Sequence, residues 1–318
     1  MKHLHTRFLT FLILALLTGC GSPEPSLTIF YAGSLARPMK DLVEKFQLEN
    51  PGLKVNTEAS GSRACCWKVL QLKRKADLIL SADYLVIEDL LMPNESDWYV
   101  IFAGNRMVIA YTEHSKFGSE ITEQNWLSVL TSAEIKVGHS DQNLDPDGYR
   151  AILCWKLADN YYKEQVKGKL SEALSRNCPA ANIRPMSIEL VALLQNYALD
   201  YAFLYESIAM QHKLKYLNLP DEINLGSSKF NEFYACATIE ITGKTPDTIS
   251  IMKGTEISYA ATIPKSASNP KLALMFMEFL LSDEGKQIIE RNHQNPFRPC
   301  IPSDKTKIPA ELLKYCGD

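Results

Sequence analysis

Apolar and polar positions follow two different periods along the first hundred residues. The run 27–31 (LTIFY) is short and continuously apolar, as a strand covered on both faces requires. From 35 to 46 the apolar residues recur at helical spacing, which predicts an amphipathic helix. The same succession returns as a strand over 53–59, a helix over 63–75 and a third strand over 76–80. Farther along, the pattern predicts a strand over 106–111, a short helix over 126–130, a strand over 134–137 and a helix over 149–161. A helix over 188–196, strands over 201–205 and 255–264, and a helix over 270–281 complete the series, and the Pro-rich tail is expected to wrap the surface. Strands alternating with helices in this way indicate an α/β fold whose sheets are mostly parallel and flanked by helices. Ligands of such sheets collect beyond the carboxyl ends of the strands, where loops meet helix N-termini. Ser34 and Ser62 both fall at such junctions.

A chain of 318 residues exceeds what one core usually holds, so two lobes with a crevice between them are expected. The alternation begins anew after residue 108 and returns near 257. The expected division is therefore 27–108 plus 257–318 for the first lobe and 109–256 for the second.

The first twenty residues carry Lys2 and Arg7 ahead of an apolar run from Phe8 to Leu17, and end in Leu17-Thr18-Gly19-Cys20. That run is too short for a bilayer, which takes about 20 apolar residues, and reads as the core of a signal peptide over 1–20. A polar, Pro-containing stretch over 21–26 has the composition of a tether. The expected location is the extracytoplasmic side of a bacterial cell envelope. A formal charge of −3 with scattered lysines and arginines disfavours a broad nucleic-acid surface. Of eight cysteines, seven remain once Cys20 is set aside, and an oxidising compartment permits disulfides without fixing their pairing. Cys300 and Cys316 are placed to clamp the tail, whereas Cys154 in an apolar helix reads as core.

The informative stretch is Asn143-Leu144-Asp145-Pro146-Asp147-Gly148-Tyr149-Arg150, a carboxylate-rich junction between a strand and a helix. Together with Tyr31-Ala32-Gly33-Ser34-Leu35, Ser81-Ala82-Asp83-Tyr84 and Gln211-His212, it resembles the archaeal-type tungstate/molybdate-binding proteins of ABC importers. The resemblance runs over roughly 27–300. It implies a two-lobed periplasmic binding protein fold of type II, with an oxyanion enclosed between the lobes and delivered to a membrane permease. It also implies that Cys20 is the lipidated cysteine of a lipobox, that the protein acts as a monomer, and that it is not an enzyme and carries no cofactor beyond its ligand.

By the same resemblance, Ser34 and Ser62 bind oxo oxygens, and a backbone N–H near Met186 reaches the ion. Tyr205 donates its hydroxyl. Asp145 and Glu206 are the carboxylates expected to touch molybdenum or tungsten itself. An acidic family position near Leu204 leaves the registration of the second carboxylate open, and Asp147, where the family often has cysteine, reads as a turn residue. A carboxylate repels an oxo oxygen but can bond a hard, highly charged metal centre able to exceed four oxygen ligands. Sulfur and phosphorus do not readily do so, which makes the two acids a filter against sulfate and phosphate. The competing readings are a binding protein for one of those anions and an extracellular hydrolase using Asp145 and Glu206 as acid and base.

Overall fold

The computed structural model describes residues 26–166 and 168–317; the leader over 1–20, Cys20 and nearly all of the tether lie outside them. Thirteen strands are present among the described residues: β1 Ser26–Ala32, β2 Lys54–Ser60, β3 Leu78–Ser81, β4 Val100–Asn105, β5 Met107–Tyr111, β6 Val137–Ser140, β7 Ile183–Arg184, β8 Tyr201–Tyr205, β9 Lys215–Asn218, β10 Thr238–Thr242, β11 Ile249–Lys253, β12 Ile257–Thr262 and β13 Asn295–Pro302. They form one sheet in the order β13-β4-β12-β3-β1-β2, a second in the order β7-β6-β8-β5-β9, and the separate hairpin β10-β11.

The two sheets share a plan. In the first, β2, β1 and β3 are parallel, and β12 returns antiparallel between β3 and β4. In the second, β7, β6 and β8 are parallel, and β5 returns antiparallel between β8 and β9. In the first sheet β12 and the edge strand β13 run against the other strands, and in the second only β5 does among the described residues. The α/β expectation holds in this form. Parallel neighbours need crossover helices, and these cover the faces. The helix Ala36–Glu49 buries Met39, Leu42 and Phe46, the spacing that predicted it. The second lobe's long helix, Pro146–Tyr161, is buried along most of its length, from Tyr149 through Trp155 to Ala158.

The chain passes between the sheets at Arg106, since β4 ends at Asn105 and Met107 already pairs with Tyr205. It returns between β11 and β12. Several boundaries differ from expectation. The strand placed over 134–137 lies at Val137–Ser140, and the helix placed over 149–161 begins earlier, at Pro146; the loop between them is a tight turn in which the Leu144 and Asp145 amides donate to the Asp141 carbonyl. The helix expected to reach residue 75 ends at Leu70. The tail does not merely cover the surface, because β13 adds an edge strand to β4.

Candidate functional site

The carboxyl ends of β6 and β8 converge on the start of the helix Pro146–Tyr161. Asp145 caps this helix, its Oδ1 accepting from the Asp147 amide at 3.3 Å. Its other oxygen accepts from the amide of Ser187, at the start of the helix Ser187–Gln195, at 2.8 Å. A single carboxylate therefore joins two helix N-termini, where partial positive charge favours it. Pro146 fits the first helical position because it has no amide to satisfy. Asp147 lies one residue farther into the same turn and is fully buried. Its Oδ2 accepts from the Tyr205 amide at 3.1 Å, and its Oδ1 has no hydrogen-bond partner among the described residues.

Three hydroxyls surround these acids with unused hydrogen-bonding capacity among the described residues: Ser140 Oγ, Ser187 Oγ and Tyr205 OH, each on a residue with 0% exposure. An unpaired buried hydroxyl costs about 1–3 kcal/mol. Three such groups converge on one place, where the Ser140 and Ser187 hydroxyls also lie close enough to Asp145 to favour its charged form. Burial lifts the Asp145 carboxyl from its usual range to about 6, against the opposing pull of the Ser187 and Asp147 amides and the nearby Ser187 and Ser140 hydroxyls. Asp147 is raised well above the usual value, by burial first and by the Asp145 charge second.

The first lobe closes the cluster from the other side. Tyr259 on β12 lies edge-on to Tyr205, ring centres 6.1 Å apart, and donates its hydroxyl to Ser34 Oγ at 3.0 Å. Ser34 is buried in a short turn between β1 and the first helix, and Met186 reaches across to that turn: a Cβ on Gly33 would stand 3.3 Å from its sulfur. Ser62 is fully buried and accepts from the Ala82 amide at 2.9 Å, leaving its hydroxyl hydrogen available. The next amides, Arg63 and Ala64, donate to the Leu144 carbonyl of the second lobe at 3.1 and 3.4 Å. That helix end is thus filled by the facing lobe's backbone. Likewise the Ser187 amide is spent on Asp145.

The lobes are held together by buried polar contacts. Asp83 of the first lobe pairs with Arg150 of the second at 2.6 Å, both 1% exposed, and also accepts the Tyr149 hydroxyl. Arg63 is wholly buried, pairs with Asp89 at 3.1 Å and donates to the Asn143 carbonyl at 3.2 Å.

Glu206 is not beside Asp145. Its carboxylate is held by both the Nε and a terminal nitrogen of Arg106 at the crossing, and its amide donates to the Arg106 carbonyl. β8 ends at Tyr205, and the helix begun by Glu206 turns that side chain toward the crossing. The carboxylate next to Asp145 is Asp147, so the expected Asp145–Glu206 pairing is corrected to Asp145–Asp147. Sequence reasoning took Asp147 for a turn residue because the Asp-Pro-Asp-Gly spelling suits a turn, and nothing in the spelling shows that both acids are buried. The Ser140, Ser187 and Tyr259 hydroxyls were not singled out from the sequence, which offered Ser187 only as a helix start with a backbone N–H; each residue ends a strand, begins a helix or faces across the crevice. Among the described residues no cluster of three or more His, Cys, Asp or Glu side chains is suited to hold a metal ion.

Residues 27–293 match the model of the family described as bacterial extracellular solute-binding protein. The chain belongs to that family. It is 43% identical to an uncharacterized solute-binding protein of Petrotoga mobilis, over 91% of this chain and 89% of the relative. It is 39% identical to the molybdate/tungstate-binding protein WtpA of Thermococcus kodakarensis, over 91% of this chain and 86% of that one. Among solved structures it resembles the sulfate-binding protein SubI of Mycobacterium tuberculosis, with a TM-score of 0.60 and 12% identity over 92% of this chain and 90% of that chain, a likeness of fold alone. These matches agree with the two-lobed solute-binding architecture. Among the described residues no helix is long and apolar enough to cross a membrane.

Proposed function

We propose that this solute-binding protein captures molybdate or tungstate outside the cytoplasmic membrane and delivers it to an ABC transporter permease. The observation that carries the reading is the enclosure of three unpartnered hydroxyls, Ser140, Ser187 and Tyr205, around a buried pair of carboxylates, between two lobes. The relative at 39% identity that is described as binding molybdate and tungstate supports it. The hydroxyls, with Ser34 and Ser62 from the facing lobe, donate to oxo oxygens and replace part of the hydration that a dianion loses on enclosure. Asp145 and Asp147 approach the metal centre and raise its oxygen coordination above four, which sulfate and phosphate do not permit. The same two charges repel those anions.

Asp83 with Arg150, and Arg63 with Asn143, belong to the closed state. Opening breaks these contacts and exposes the site; closure removes water and completes the donor set from both lobes. Lipidation at Cys20 keeps the protein at the membrane beside its permease, supported by the basic start, the apolar run and the Leu-Thr-Gly-Cys ending. Durable anchoring requires more than one acyl chain.

Calorimetry with molybdate, tungstate, sulfate and phosphate, paired with X-ray absorption at the metal edge of the bound ion, tests the reading. It expects tight binding of the first two anions with more than four oxygen neighbours. Preferential binding of sulfate or phosphate refutes the ion choice. Bound molybdate with an undistorted tetrahedron refutes the role of the carboxylates.

A further inference from the structure

The C-terminal tail carries two thiols that the binding cleft does not use. Cys300 on β13 and Cys316 oppose one another in a parallel backbone bridge. The Cys300 amide donates to the Tyr315 carbonyl at 2.9 Å, and the Gly317 amide donates to the Cys300 carbonyl at 3.3 Å. This brackets Cys316 directly across from Cys300. Residues paired in this manner stand about 4.8 Å apart and project to the same face. A disulfide spans Cα separations of roughly 4.4–6.8 Å, so the backbone already meets its requirement.

The two thiols are not joined in the structure. Each leans on a carbonyl at 3.6 Å, Cys300 on Phe297 and Cys316 on Leu312, and these weak contacts leave rotation about χ1 cheap. Burial raises the pKa of both thiols, and Lys286, which faces both, opposes it by favouring thiolate. Cys316 is the more accessible of the two. The other five described cysteines lie in helices or loops, with no backbone pairing between any two of them among the described residues.

We propose that Cys300 and Cys316 form an intramolecular disulfide that fastens the C-terminal segment to the edge of the first sheet. The oxidant is a protein or small-molecule disulfide of the exchange class. The Cys316 thiolate attacks one donor sulfur and expels the other as a thiol. Cys300 then attacks the Cys316 sulfur of the mixed disulfide and expels the second donor thiol. The two electrons and two protons leave on the donor, now reduced. The bond closes a loop of about 15 residues, the size at which cross-linking removes substantial freedom from the unfolded chain. It acts where it is needed, because β13 is an edge strand whose only strand neighbour among the described residues is β4, and its register shifts between Pro296 and Ile301.

The test uses the full chain exported to an oxidising compartment, alkylated under denaturing conditions without reductant and mapped by mass spectrometry. A cross-linked pair of peptides containing Cys300 and Cys316 is expected, together with a fall in Tm of roughly 5–10 °C on reduction. The shift should vanish in a Cys300→Ser, Cys316→Ser double variant and persist in Cys236→Ser, which alters the exposed thiol. Full alkylation of both thiols, persisting after incubation with oxidised glutathione, overturns the proposal. So does a cross-link joining either of them to another cysteine, or a Tm that reduction leaves unmoved.

Discussion

Replacing Asp147 with Asn should strengthen the ion-free protein while weakening its grip on molybdate or tungstate. The Asp145 carboxyl rises from 3.8 to about 6, chiefly through burial, and Asp147 is raised by burial and by Asp145. A carboxyl held up to about 6 costs on the order of 3 kcal/mol of folding free energy at neutral pH, shared between the two neighbouring acids. Both folded values lie above the unfolded ones, so the native protein holds more protons than the unfolded chain. The stability that Asp145 contributes is therefore full below about pH 4 and is lost as pH rises through about 6, and that of Asp147 is lost as pH rises through its own raised value. Asn at 147 keeps an oxygen to accept from the Tyr205 amide and presents an amide donor near Asp145 in place of a like charge. The variant should gain on the order of 1–3 kcal/mol at neutral pH, and its stability should vary less between about pH 4 and 7. Urea unfolding followed by tryptophan fluorescence, in ion-free buffer at several pH values, measures both quantities. Calorimetry on the same variant should find affinity for molybdate and tungstate reduced at least tenfold, with sulfate affected less. A variant less stable than the parent at neutral pH, or one with the parent's pH slope, refutes the argument that two buried charges oppose each other there.

Tyr205→Phe removes a hydroxyl that has no partner among the described residues, so the ion-free melting temperature should stay within about 2 °C of the parent while affinity drops roughly tenfold; a large loss of stability without loss of affinity would show the hydroxyl to be structural. Gly61→Ala sets a Cβ 2.2 Å from the Leu144 carbonyl of the facing lobe. It should hold the lobes apart, seen as a larger radius of gyration with ligand by X-ray scattering, and an unchanged radius would contradict the closed contact. Asp83→Asn leaves Arg150 buried without its countercharge, and breaking such a pair costs about 3–5 kcal/mol; denaturant unfolding of the ion-free chain measures it, and a loss below about 1 kcal/mol would mean that water replaces the partner. Glu206→Gln disturbs the pair with Arg106, away from Asp145, and should leave ion affinity within about twofold in calorimetry, whereas a large loss would restore Glu206 to the site.

The sequence by itself determined the layered α/β plan, because local periodicity records which face of each element is apolar, and the helices Ala36–Glu49 and Pro270–Leu281 lie where that spacing put them. It also placed Asp145 and Ser34 at junctions leading into helices, since such a junction is written in adjacent residues. Edge strands such as β13 and β9, and the hairpin β10-β11, were hidden, because their residues are partly exposed and their pairing partners are distant in the chain. What only tertiary structure decided was which acid stands beside Asp145. Glu206 follows a buried strand as plausibly as Asp147 follows a proline, but Arg106, one hundred residues earlier, claims its carboxylate. Nor does Tyr259 signal locally that its hydroxyl meets Ser34, across 225 positions. Burial and long-range hydrogen bonds depend on how the lobes meet, and that free energy belongs to pairs of residues far apart in the chain.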